Sequence, residues 1–201
     1  MSLFKKRSSS SDREANAVFE KIHRLMQDEA LQNGNCPAQL KQLMAAGGAV
    51  DQLPDAVGVF GRDLRNPIPV NGPFGELIYI SNLRLPNGIQ VMGHRLGSRQ
   101  RPGTDAPADV YEIVALDGSH WDKLVFDPYH PRKSRMYPQG LVCSSTPEKF
   151  LLATNQTVPG FPVGIGEAMQ QCTMQFIGAP LVAPQLRNEA LFRQFKRPST
   201  M

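Results

Sequence analysis

The sequence is poor in the features that announce a protein class. It has three cysteines, Cys36, Cys143 and Cys172, odd in number, far apart and without a CxxC pair. That spacing excludes a thiolate zinc site and argues against a disulfide framework, so three buried free thiols in a reducing cytoplasm are expected. Charge, Pro or Gly interrupts every apolar run well short of the ~20 residues needed to cross a bilayer. The basic start, Met1 to Arg7, leads into no apolar segment, so no secretory signal is expected. No GxSxG, HExxH, phosphate loop or paired metal-ligand spacing occurs. Gly164-Ile165-Gly166 carries Met169 where a dinucleotide fingerprint needs its third glycine. Neither a metal nor a cofactor is therefore expected. The single tryptophan, Trp121, reads as a core anchor beside a turn.

What the chain does have is enough apolar residues for a core. Of 201 residues 41% are hydrophobic and only 20% charged, which is not the composition of a disordered chain. The formal net charge is +4, but it sits at the ends. Lys5, Lys6 and Arg7 at one end, and Arg187, Arg193, Lys196 and Arg197 against Glu189 at the other, exceed the whole surplus and leave the middle slightly acidic. Basic ends are usually solvated tails, and sometimes arms for a polyanion.

The pattern along the chain predicts one α+β domain over 11–197, after a polar, Ser-rich basic tail over 1–10. Ser11-Asp12-Arg13-Glu14 has capping-box spacing. Ala15, Val18, Phe19, Ile22, Leu25 and Met26 follow at helical steps up to Gly34. A second helix starts at Pro37 and ends at Gly47-Gly48, which makes 11–48 a helical hairpin. Residues 54–75 are Pro- and Gly-rich yet carry Phe60, Leu64, Ile68, Val70 and Phe74, so an extended segment packed along the core is expected. Residues 76–153 read as a mostly antiparallel sheet. Its strands are 76–81, 89–92, 109–116 and 121–126, with turns at Asn87-Gly88 and Asp117-Gly118, a loop over 97–108, and further β structure near 141–143 and 150–153. Residues 167–177 fit either a strand or a helix. A C-terminal helix over 185–196 packs back on the sheet, with Leu186, Ala190, Leu191 and Phe195 inward.

Two basic stretches carry the functional expectation, although the acids Asp105, Asp109, Glu112, Asp117, Asp122 and Asp127 between them also suit internal pairing of these cations with the protein's own carboxylates. Arg84, Arg95, Arg99 and Arg101 lie in a span with no acid between Glu76 and Asp105. Tyr129, His130, Arg132, Lys133, Arg135 and Tyr137 lie on a Pro-stiffened loop. Arg offers a planar fork for carboxylate or phosphate, and Arg and Tyr are favoured anchors at interfaces. The binding set expected from this is Arg95, Arg99, Arg101, Tyr129, His130, Arg132, Lys133, Arg135 and Tyr137. The leading expectation is a non-enzymatic cytoplasmic binding protein that holds an acidic protein surface or another anionic partner. The alternative is a small hydrolase or transferase acting on an anionic substrate. There His94 or His130 would be the acid or base, Asp127 the orienting carboxylate, and Arg95 and Arg132 the clamp. A third reading, less favoured, is a nucleic-acid binder that uses the basic tails. All three rest on free cations or a free imidazole, which only the fold can supply.

Overall fold

The structure is a computed structural model that describes residues 10–146 and 148–199, with the side chains of 10–16 and 18 outside the described set. The tail over 1–9 and the side chains of the Ser11–Glu14 capping pattern therefore lie outside the described residues. The first helix, α1 (Ser10–Gln27), buries Ile22, Leu25 and Met26 as its spacing requires. It does not run on to Gly34. Asp28 takes an extended conformation and accepts a hydrogen bond from the Leu31 amide at 3.0 Å, which caps a separate short helix, α2 (Glu29–Gly34). A short polar side chain that satisfies an orphan amide ends one helix and starts the next. The third helix, α3 (Ala38–Ala46), begins after Pro37 and stops at Gly47, as the sequence predicts.

Of the 54–75 segment, the part from Asn66 lies against the body, with Ile68 and Val70 fully buried and the two-residue strand β1 (Ile68–Pro69) within it, whereas Val57 and Val59 are more than half exposed. Its last residues behave differently. Gly72 to Asn82 form a helix, α4, and the strand expected over 76–81 does not exist. The reason is burial on every side. Phe74, Leu77, Ile78, Tyr79, Ile80, Glu76 and Ser81 are all buried, so the segment has no polar face and hence no helical period. Its β-branched and aromatic content then mimics a strand. Pro73 in the first turn was the local signal for a helix.

α4 is followed by β2 (Leu83–Arg84), β3 (Val91–Gln100), β4 (Pro107–Ala115), β5 (Trp121–Asp127), β6 (Val142–Cys143) and β7 (Ala153–Thr154). The main sheet has the order β1-β5-β4-β3-β7. Its three long strands are antiparallel, and the two short outer strands run parallel to their neighbours. The β4–β5 hairpin matches the sequence reading closely. Gly118 in its turn has φ 77°, and the Phe195 ring packs over it. The expected 97–108 loop shrinks to 101–106, because β3 and β4 stay paired from Gly97 with Val110 out to Gln100 with Pro107. β2 pairs with β6 in a separate ribbon, and beyond Asn87-Gly88 the chain turns back on it in a short hairpin, with a bridge between Arg84 and Gln90 and the Leu85 amide donating to the Ile89 carbonyl at 2.9 Å.

The ambiguous 167–177 stretch is helical, within α5 (Ile165–Ile177). The C-terminal helix does pack back, but in two short pieces: a 3-10 turn at Pro184–Arg187 and α6 (Glu189–Phe192). Asn188 breaks it by accepting from the Leu191 amide at 3.3 Å. Leu186 and Phe192 are buried, Leu191 and Phe195 half-buried, and Ala190 is exposed instead of inward. The fold is thus α+β, with helices at both ends and a largely antiparallel sheet between them. No helix among the described residues is long and apolar enough to cross a membrane.

Candidate functional site

One end of the sheet gathers a dense polar network. β3 supplies Arg95, β4 supplies Asp109 and Tyr111, and the buried helix α4 supplies Glu76. Arg95 donates to both Asp109 oxygens, Nε to Oδ2 at 2.9 Å and Nη2 to Oδ1 at 2.8 Å, and Ser98 Oγ adds a third donor at 2.8 Å. The Tyr111 hydroxyl donates to Glu76 Oε2 at 2.8 Å. Glu76 is fully buried, and its Oε1 meets no donor. Burial, then the negative Asp109 close by, pushes the Glu76 carboxyl well above the usual range. A protonated Glu76 that donates to Asp109 resolves the orphaned oxygen, since two adjacent carboxylates cannot both ionise here.

This fixes a pH effect. With its folded pKa raised, Glu76 keeps a proton that the unfolded chain releases, so stability falls as pH climbs from the ordinary carboxyl range to the folded pKa. Glu76→Gln keeps the shape, the acceptor for Tyr111 and a donor for Asp109. Its stability advantage over the native protein should grow by up to about 1.4 kcal/mol per pH unit across that window. Urea melts at a series of pH values from acid to mildly alkaline read this directly, and a constant difference contradicts it.

Next to this pair stand Arg101, Asp127 and His130. Asp127 is 3% exposed; its Oδ2 takes the Arg101 guanidinium and lies 3.3 Å from His130 Nε2. His130 Nδ1 lies 3.0 Å from the Gly48 carbonyl oxygen. Both partners are acceptors, which favours the protonated ring. Burial pulls the imidazolium down, but the bonds to Asp127 and Gly48 outweigh it and raise its pKa. Burial likewise pushes the Asp127 carboxyl up, and the cations His130 and Arg101 reverse this and lower it. The loop is held tightly here: a β-carbon on Gly47 would lie 1.9 Å from the Tyr129 carbonyl oxygen.

The remaining expected binding cations are mostly neutralised. Arg132 meets Asp51 at 2.6 Å and donates to the Ala49 carbonyl at 2.9 Å. Lys133 Nζ lies 2.8 Å from Glu29 and donates to Gln32 Oε1 at 3.0 Å; burial lowers its pKa, while Glu29 opposes that. Arg84 pairs with Glu148. Only Arg99 and Arg135 of the expected set extend exposed side chains with no ion pair among the described residues. Tyr137 stacks on Tyr79 at 5.7 Å. Its phenol is pushed up to about 12 by burial and by Cys143. The thiols also differ from expectation: Cys172 is buried, Cys36 half-buried and Cys143 exposed, all three free.

Neither proposed catalytic imidazole has a free nitrogen. His94 is 3% exposed; its Nδ1 accepts from the Val158 amide at 3.0 Å, so the proton is on Nε2 and goes to Glu112 Oε2 at 3.0 Å. Phe161 stacks on the ring at 4.3 Å. Arg197 approaches the other Glu112 oxygen at 2.7 Å.

The His130 side of the network underlies a surface groove of about 690 Å³. Tyr129, His130 and Asp127 form its floor, and Leu43, Leu53 and Pro107 its walls. Through Leu53 and Thr104 it continues into a smaller groove of about 400 Å³ that reaches Val57, Arg65 and Arg101. Leu43 and Val57 are each more than half exposed. Arg65 is held by Asp63. Asp55 and Asp105 are exposed on the rim and form no ion pair among the described residues. Sequence reading missed Leu43, Leu53, Asp55 and Asp105, because nothing local marks an apolar residue as a groove wall. Comparison with protein families, with curated proteins and with solved structures finds no match for this chain.

Proposed function

We propose that the chain is a non-enzymatic binding protein that holds a segment of a partner polypeptide in the groove between α3, the loop after it and the β3–β4 tip. The observation that carries this is the sorting of charge. Arg101, Arg65 and His130 are already matched by acids, while Asp55 and Asp105 on the rim are not. Exposed Leu43 and Val57 add apolar walls. The complementary partner is an extended peptide with apolar side chains flanked by Lys or Arg. Of the cations expected to hold an acidic partner, only Arg99 and Arg135 are exposed without an ion pair among the described residues, and an acid–base role would need a free imidazole nitrogen on His94 or His130. A nucleic-acid role would draw on the basic N-terminal tail, which lies outside the described residues, and on Arg187, Arg193, Lys196 and Arg197 at the other end, of which Arg197 is placed on Glu112.

Titration calorimetry tests this with a short peptide that alternates Leu and Lys and its Leu/Glu counterpart. The Leu/Lys peptide should bind and the Leu/Glu peptide should not. Replacing Asp55 and Asp105 together by Asn should weaken binding up to about thirtyfold and flatten its salt dependence, since each of the two rim contacts contributes ~0–1 kcal/mol. Equal or tighter binding of the Leu/Glu peptide, or no binding of either, refutes the proposal.

A further inference from the structure

The groove between α3 and the β3–β4 tip contains one group that changes its charge near neutral pH. Among the described residues, Asp55, Asp105 and Asp127 line the groove and its continuation together with Arg65 and Arg101, Tyr129 and His130. Of these side-chain types only the imidazole titrates close to neutrality. Burial, then Asp109, Asp127 and Glu76, push the Tyr129 phenol further up. With His130 neutral, the three lining carboxylates outnumber the two guanidiniums by one. With it protonated, the two signs balance.

His130 is seated so that this charge changes while the groove keeps its shape. Nε2 lies 3.3 Å from Asp127 Oδ2, which also takes Arg101, and Nδ1 lies 3.0 Å from the Gly48 carbonyl oxygen after α3. From the α3 side Leu43, Ala46 and Gly47 line the groove, none of them charged, and the β3–β4 tip brings Asp105. On the loop after Gly48, Asp51 meets Arg132 at 2.6 Å and accepts from the Arg135 amide at 2.8 Å, and these bonds hold its carboxyl below the usual range. A neutral ring still keeps one of its two bonds. Other ties between these segments do not involve it: Arg132 donates to the Ala49 carbonyl at 2.9 Å, Ser134 Oγ to the Asp51 carbonyl at 2.6 Å, and Asn33 to the Pro131 carbonyl at 2.7 Å.

We infer that His130 is a proton-operated charge switch in the groove floor, which lets the groove hold a basic peptide more tightly when the imidazole is neutral than when it is protonated. This rests on the reading of the groove as a site for such a peptide. His130 is 3% exposed and is not touched by the peptide; its charge acts through space. A Lys or Arg arriving over the floor disfavours a second cation beneath it, so binding expels the proton, and by reciprocity the proton weakens binding by the same factor. One partly screened charge–charge contact makes that factor roughly fivefold. The acceptors around His130 outweigh its burial and raise its pKa above 6.5, so the change falls at neutral to mildly alkaline pH.

The test is calorimetric titration of the whole chain with the Leu/Lys peptide, its ends blocked, from about pH 6 to about pH 9. Affinity should rise roughly fivefold across the His130 titration. His130→Gln, neutral and still able to donate to Gly48, should hold the higher affinity throughout. In the native chain the His130 pKa, read from its imidazole proton resonances, should fall on saturation by the logarithm of the same factor, about 0.7. That measurement needs no variant, so it decides even if His130→Gln does not fold. Binding whose affinity does not change with pH, the same rise in His130→Gln, or a His130 pKa unmoved by bound peptide overturns the switch and leaves the groove reading intact. No binding at any pH removes both.

Discussion

Asp127→Ala should cost about 3–5 kcal/mol of stability, the range for removing one partner of a buried ion pair. The size follows from what is left behind. Asp127 is 3% exposed and faces both Arg101 and, when protonated, His130, besides accepting from the Tyr129 amide at 3.3 Å. Arg101 Nε is itself buried without an acceptor among the described residues, so the guanidinium has no second anchor there. Removing the carboxylate strands two positive charges next to each other. In urea melts the midpoint should fall with an unchanged slope. A loss below about 1 kcal/mol would show that water reaches these cations and that the network is not sealed.

The same variant should alter the pH profile. His130 has a raised folded pKa, so its contribution is complete below its unfolded value of 6.5 and is lost as pH rises through the folded pKa. Asp127 has a lowered one, so its contribution is present above 3.8 and is lost as pH falls through the folded pKa. The gap between native protein and Asp127→Ala should therefore be widest between these two values and narrow on either side. Stability measured at acid, weakly acid and mildly alkaline pH tests this, and a gap that does not change with pH refutes it.

His94→Ala should be comparably damaging, at about 3–5 kcal/mol, which is about 10 °C in Tm for a domain of this size. Three losses add up. The Val158 amide, buried, loses its acceptor; Glu112, 1% exposed, loses its donor; and Phe161 loses the ring stacked against it. Large-to-small change in a packed core adds a cavity cost. The imidazole thus serves as a pin between β3, β4 and the segment at 158–161. A double-mutant cycle with Glu112→Ala separates the pair from the packing: a coupling of at least ~1 kcal/mol is expected. Additive losses would mean that the His94–Glu112 bond contributes little. Arg197→Ala should change stability by less than about 1 kcal/mol, because Arg197 is half exposed.

The parts of the fold that could be read in the sequence are those fixed by local chemistry. The β4–β5 hairpin combines alternating β-formers with an Asp-Gly turn, and Pro37 and Gly47 bracket α3. What escaped is set by distant neighbours. α4 reads as a strand because it is wrapped by apolar neighbours on every side, which removes the polar face that a helical period needs. The C-terminal helix breaks at Asn188, whose side chain competes for a backbone amide. The site shows the same limit more sharply. Arg95, Arg101, Arg132 and Lys133 lie in two cation-rich stretches of the sequence, but their acids lie 14, 26, 81 and 104 positions away. No local window pairs Lys133 with Glu29, and so the surplus that looked positive at the surface is largely internal. The uncommitted rim charges on the groove, Asp55 and Asp105, are of the opposite sign to those expected.

The main sheet ends on each flank in a strand of two residues, β1 and β7. β1 includes Pro69, which has no amide to donate, and the part of β3 that extends past β7 carries a bulge at Arg95–Gly97 and the exposed Arg99. Short, bent, charged flanks give a second molecule no regular row of amides and carbonyls on which to grow a cross-β stack. Concentrated solutions of the folded protein should therefore resist fibril formation, even though its central strands are rich in fibril-prone residues.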